Sequence, residues 1–220
     1  MIEAKNIEVL IKASEVLRGV TLAVGPGEMV GLVGRNGAGK TTTIRALMGL
    51  LPLKGGEIRV DGRNIDDLKP HQRAALGIGY LPEDRRLVPL LTVEENILVP
   101  AWAMPHIDQK KRLSFAYDLL PEIAKMRDRK ALQLSGGQQK LVALARAIMA
   151  GTNTLLLDEP FEGVAPALSH RLSEVIGALR SEKLSVLIAQ SDVNHSAEML
   201  DRKYLIERGA NVSAASSGAD

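Results

Sequence analysis

The sequence predicts an α/β fold, with a layer of antiparallel strands at its N-terminal side and a helical insertion in its middle. Three observations predict it. Residues 2–24 and the later run "GEIRVDGRNID" read as strands broken by Gly- and Asp-containing turns. The short apolar runs "MVGLVG", "TLLLDEP" and "LSVLIAQSD" alternate with helical patterns, and residues 84–133 between them look mostly helical. At 220 residues, 45% hydrophobic and 25% charged, the chain can bury a real core as one domain over residues 1–220. A net charge of +2 argues for no broad nucleic-acid-binding face, and the absence of cysteine excludes disulfides and thiolate metal sites. There is no basic-then-apolar leader, and no apolar run approaches the roughly 18 residues of a membrane helix. The expectation is an intracellular protein that reaches a membrane only through something embedded there.

Taken in order, residues 2–24 are strand-like and end in the turn "GPGE". "MVGLVG" is a short apolar run bounded by turn residues, as for a buried strand. In "TTTIRALMGLL", Ile44, Leu47, Met48 and Leu51 share one helical face. "GEIRVDGRNID" gives two short strands around Asp61-Gly62, the favoured pair for a tight hairpin turn. Thr92 and Glu95 have capping-box spacing, and Asp108 precedes the stripe Leu113, Ala116, Leu119 and Leu120, with Pro121 near its end. Pro166 marks a helix start followed by Leu168, Leu172, Val175, Ile176 and Leu179 at helical spacing. The tail, 209–220, is small and polar and is expected to be frayed.

"GRNGAGKT" fits G-x-x-x-x-G-K-[ST] between a predicted strand and a predicted helix, the context of a P-loop NTPase core. Gly34, Gly37 and Gly39 let the backbone N–H groups of Asn36, Gly37, Ala38, Gly39 and Lys40 curve around phosphate oxygens, with Thr42 continuing the helix start. Lys40 reaches the outer phosphates, and the Thr41 hydroxyl is a ligand for Mg2+. In "LLLDEP" a buried strand delivers Asp158 to the same metal, and Glu159 is placed to deprotonate an attacking water. "LSGGQQ" opens a second helix with a Ser N-cap and two glycines. By itself that is ordinary capping, but it is also a second helix start suited to an anion.

The order of phosphate loop, helical insertion, LSGGQ, LLLDEP and a further strand ending in polar residues resembles the ATPase subunit of ATP-binding cassette (ABC) transporters over about residues 2–212. The resemblance implies ATP and Mg2+ as ligands and head-to-tail pairing of two ATPase chains. It also implies that Ser135, Gly136, Gly137 and Gln138 face the nucleotide held by the partner's Lys40. "YLPEDRRLVPLLTVEENI", "LIAQSD", "LDEPFEGVAP" and "LDRKYLIERGAN" are together similar to the branched-chain amino acid importer branch and its urea and amide relatives.

Several positions depart from the family pattern. Glu83 stands where most relatives have a glutamine and would offer Mg2+ a charged ligand. Gln190 is read at the position of the switch histidine, as a γ-phosphate contact that cannot carry a proton. No aromatic residue precedes Tyr80 to stack on adenine, so Ile11 and Val16 are the expected contacts. Phe161 and Glu162 replace a small-then-apolar pair, and His71, His106, His170 and His195 are scattered without metal-ligand spacing. The resemblance further implies membrane-spanning permease subunits as partners and docking through residues 81–89 and the helical insertion. A solute-binding protein of the same system, and a place on the inner face of the cell membrane, follow from it too. The alternatives are a soluble ABC ATPase in nucleic-acid or ribosome work, against which the lack of a second module or long insertion speaks, and a non-hydrolysing module that uses ATP only for assembly.

Overall fold

The computed structural model describes residues 1–212. The opening strand-like stretch is two strands, β1 (Ile2–Ile11) and β2 (Ser14–Val24), reversed at Lys12 and Ala13, both at positive φ. Alternation along β1 buries Ile2 and Ala4 and, past an irregularity at Asn6 (φ 50°) that shifts the phase by one, Ile7 and Val9. β4 (Gly55–Val60) pairs antiparallel with β1, and a tight turn at Asp61 and Gly62, φ 50° and 78°, leads to β5 (Arg63–Asn64). This antiparallel sheet has the order β2-β1-β4-β5.

A second sheet has the order β10-β9-β3-β8-β7-β6, built from β3 (Met29–Val33), β6 (Ile78–Leu81), β7 (Thr154–Asp158), β8 (Ser185–Gln190), β9 (Arg202–Glu207) and β10 (Ala210–Val212). All its pairings are parallel except that of β10 with β9. β7 and β8 are buried along their whole length, as a sheet covered on both faces requires. Leu156 packs with the antiparallel sheet and helix α1 (Lys40–Leu47), whereas Leu155 and Leu157 pack with the helices on the other face.

Those helices are α3 (Val93–Trp102), α4 (Gln109–Leu119), α5 (Pro121–Ala124), α6 (Gly136–Ala150) and α7 (Pro166–Ala178); α2 (Pro70–Ala75) precedes β6. Local chemistry sets their starts. Thr92 Oγ1 accepts from Glu95 N at 3.1 Å while the Glu95 carboxylate accepts from Thr92 N at 2.7 Å, and Asp108 Oδ1 accepts from Lys111 N at 3.1 Å. Arg73 of α2 is buried and donates to the carbonyls of Ala46 and Leu47 at 2.9 Å, closing the C-terminal end of α1, and to those of Leu68 and Asp66 at 3.0 Å.

The expected fraying from 209 onward is corrected for residues 210–212. They form β10 against β9, and Asn211 Oδ1 accepts from Thr21 N at 2.6 Å, so this polar segment has partners. Residues 213–220 of that expectation lie outside the described residues. The hairpin turn before β10 also touches the loop ahead of α1. Gly209 N donates to the Ala38 carbonyl at 2.9 Å, and Arg18 N donates to the Gly209 carbonyl at 2.7 Å.

Candidate functional site

Register decides where the site lies. Val33 is level with Gln190, and Asp158 with Ala189, so β3, β7 and β8 end together at one edge of the sheet. Ligands of open α/β sheets bind outside such carboxyl ends. The segment 34–39 leaves β3 there and enters α1 with Gly37 and Gly39 at φ 81° and 110°. A Cβ on Gly34 would lie 2.2 Å from the Ile206 carbonyl oxygen, so no larger residue fits between the loop and β9. Beside the loop is a cavity of about 400 Å³, bordered by Asn36, Lys40, Thr41, Glu83 and Glu159, with Val16 as an apolar wall.

Lys40 is nearly buried. Its ammonium donates to the Gly34 carbonyl at 2.6 Å and the Arg35 carbonyl at 3.1 Å, and it pairs with Glu159 Oε1 at 3.1 Å. One residue on, Thr41 Oγ1 donates to Asp158 Oδ1 at 3.0 Å, while Asp158 Oδ2 is buried without a hydrogen-bond partner. An orphaned carboxylate oxygen beside a hydroxyl, next to a phosphate-sized cradle, fits an oxygen-seeking divalent cation such as Mg2+. Burial raises the Asp158 pKa to about 6; the Thr41 hydrogen bond opposes this, and the charges of Glu83 and Glu159 add to it.

Glu159 has φ 46° and precedes Pro160, a conformation disfavoured twice, first because it is not glycine and second because the next residue is proline. Such a backbone costs roughly 1–3 kcal/mol and persists where surrounding contacts impose it. Here Glu159 N donates to the Ala189 carbonyl at 2.9 Å, and its carboxylate accepts from Ser191 N at 3.2 Å and Ser191 Oγ at 2.9 Å.

The structure brings Gly34, Asn36, Gly37, Ala38, Gly39, Lys40, Thr41, Thr42, Asp158, Glu159 and Glu83 to one sheet edge, and departs from the sequence reading at three places. Gln190 is only 3% exposed; its amide nitrogen is hydrogen-bonded to Ser196 Oγ, and its Oε1 is buried without a partner. Ser191 is the residue that reaches the cluster, its hydroxyl lying 2.8 Å from Asn36 Oδ1 and accepting from Lys40 Nζ at 3.3 Å. The one-residue difference has a simple cause, because successive strand residues point to opposite faces. Ile11, 37% exposed at the end of β1, does not border the cavity, whereas Val16 does. Third, His195 is closer to the site than its sequence distance suggests. Its ring centroid lies 5.6 Å from that of Phe161 with the planes tilted by 44°, and it shares a smaller cavity, about 250 Å³, with Gln190, Ser191 and Glu159.

Residues 135–138 stand apart from this cavity, at the N-terminus of α6. Ser135 Oγ accepts from Gln138 N at 3.3 Å, and Gln138 Oε1 accepts from Ser135 N at 3.0 Å, so the two cap their helix reciprocally and leave Ser135 and Gly136 exposed.

The family described as ABC transporter matches residues 17–162. The lipopolysaccharide export system ATP-binding protein LptB of Haemophilus influenzae is 37% identical over 211 residues, covering 95% of this chain and 88% of the relative. The probable branched-chain amino acid transport ATP-binding protein LivF of Archaeoglobus fulgidus is 32% identical over 210 residues, covering 95% and 89%. Among solved structures, a dimeric ATP-binding cassette in a post-hydrolysis state with ADP and Pi superposes with a TM-score of 0.85 at 25% identity, covering 97% of both chains.

Proposed function

Since the chain belongs to the ABC transporter family and is an ATPase subunit, we propose that it hydrolyses ATP bound as a Mg2+ complex in the cavity beside residues 34–42 and thereby drives separate membrane-spanning permease subunits. The single observation that carries the reading is the pair of contacts Lys40–Glu159 and Thr41–Asp158 at the mouth of one cavity.

Backbone N–H groups of the loop and the Lys40 ammonium bind the phosphates, and Lys40 exchanges its Glu159 partner for a phosphate oxygen. Thr41 and Asp158 would hold Mg2+, with Glu83 of the same cavity as a candidate further ligand, and the ion would supply charge neutralisation at the phosphate oxygens. Glu159, freed from Lys40, accepts the proton of the attacking water. The new P–O bond forms at the γ-phosphorus as the bond to the β,γ-bridging oxygen breaks, releasing ADP and phosphate. Ser191, bonded to Lys40, Asn36 and Glu159, fills the role assigned from sequence to Gln190.

Residues 135–138 lie too far from their own chain's cavity to border it, which supports their serving a second ATPase chain across a two-fold interface. The exposed Val88, Leu90 and Leu132 support docking of the permease on the loop after Glu83. Their segments are tied together where Leu132 N donates to the Pro89 carbonyl at 3.0 Å. No helix among the described residues is long and apolar enough to cross a membrane, in keeping with separate permease subunits and a place against the inner face of the cell membrane.

For the solute, the LivF relative supports uptake of branched-chain or other amino acids, with a solute-binding protein as a further partner and urea or amides as an alternative. The LptB relatives support a second reading, lipopolysaccharide export. The test of the shared mechanism is the solution mass of Glu159→Gln with and without Mg2+ and ATP. A dimer formed only with nucleotide is the expected result; a monomer that binds ATP refutes self-pairing, and no ATP binding refutes the site.

A further inference from the structure

Lys140 sits in the second turn of α6, five residues beyond Ser135, and is 2% exposed. Its ammonium donates to the backbone carbonyl of Glu159 at 2.7 Å, and Glu162 N donates to the same oxygen at 3.2 Å. Burial lowers the Lys140 pKa below its usual value, the cost of a cation withdrawn from water for a carbonyl. An apolar side chain of similar length would pack there without that cost, so stability does not account for the charge. The conformation of its partner does. Pro160 has no N–H with which to anchor the peptide after Glu159, and the carbonyl is the one backbone handle on that side. On the other side Glu159 N is held by the Ala189 carbonyl at 2.9 Å.

We propose that Lys140 is a positioning residue. Its charge-assisted hydrogen bond to the Glu159 carbonyl fixes the peptide at positive φ, so that the carboxylate meets Ser191 and Lys40 instead of turning away from the attacking water. The proposal rests on Glu159 as the base. It also makes α6 a helix whose first turn is read as serving the partner's nucleotide while its second turn sets the base of its own chain.

The test compares full-length wild type, Lys140→Met, Lys140→Gln and Glu159→Gln in steady-state ATP hydrolysis, ATP binding and thermal melting. Lys140→Met should melt no lower than wild type and keep KM within about twofold, while kcat falls by about 10- to 100-fold, the loss typical of a misplaced reacting group. Lys140→Gln, whose amide N–H still donates, should regain part of that kcat. Unchanged kcat in Lys140→Met overturns the proposal, as does an equal loss in the Met and Gln variants. If the Met variant melts lower, the Gln variant alone is scored, and a kcat below wild type with KM and ATP binding unchanged supports the positioning role, whereas kcat equal to wild type overturns it. Wild-type turnover by Glu159→Gln would instead remove the base reading itself.

Discussion

Replacing Asp158 with Asn separates what burying this carboxylate costs the fold from what it contributes to the site. Its titration moves from 3.8 to about 6 on folding. Below 3.8 both folded and unfolded chains are protonated and burial carries no electrostatic penalty. Between 3.8 and 6 the unfolded chain ionises first, so stability falls as pH rises, and above about 6 the whole penalty is present. At about 1.4 kcal/mol per pH unit this amounts to about 3 kcal/mol. Asparagine keeps an acceptor for Thr41 but places an amide N–H where Oδ2 is unpartnered, a loss of about 1–2 kcal/mol at any pH. In the absence of nucleotide and divalent cations, Asp158→Asn should therefore be more stable than wild type by about 1–2 kcal/mol at pH 8 and less stable by a similar amount near pH 4. For a chain of this length the two pH values should differ by about 6–12 °C in the relative Tm. Paired melting curves of both proteins at pH 4 and pH 8 measure it. An offset that does not change with pH would refute the reasoning, because a carboxylate that titrates normally predicts that result. At pH 8 the stabilised variant should have lost ATP hydrolysis.

Two further outcomes follow from other contacts. Arg73→Met removes the donor to four backbone carbonyls, two of them at the end of α1, and should lower stability by about 2–4 kcal/mol; a urea midpoint equal to wild type would sink that assignment. Val16 offers the base an aliphatic wall in place of an aromatic ring, a difference of about 1 kcal/mol in stacking, so GTP should support hydrolysis with kcat/KM within about tenfold of ATP. A preference for ATP above about a hundredfold would show that adenine is recognised elsewhere.

The features legible in the sequence are those whose chemistry is local. Residues 34–42 announce a phosphate loop because few other uses need glycines at those spacings before Lys and Thr, and Asp61-Gly62 announces a turn because both positions take positive φ. The capping pairs Thr92–Glu95 and Ser135–Gln138 are four-residue patterns and could be read directly. What depends on the meeting of distant segments was hidden. Ile11 and Val16 are equivalent as apolar residues near one turn, and only the reversal at Lys12–Ala13 turns one toward the cavity and the other toward solvent. Gln190 and Ser191 differ by one residue at a strand end, where the side that faces the site is set by pairing with β3. Nothing in the neighbouring sequence marks Arg73 or Lys140 as buried, since their burial is set by carbonyls on other elements. The three-residue β10 lacks the length and apolarity of a recognisable strand, and it exists because β9 and Thr21 supply its partners.

The contact of the turn at Gly209 with Ala38 bears on how this protein is made. Ribosomal synthesis releases the phosphate loop early and its backing late, for β9 supplies the Ile206 carbonyl against Gly34 and the following turn grips Ala38. A nascent chain that has already emitted Lys40, Asp158 and Glu159 thus has the chemistry of the site without its frame. The backing of the phosphate loop is complete only when residues 202–212 have emerged and paired, so a chain stalled before them carries the loop without its contacts at Gly34 and Ala38.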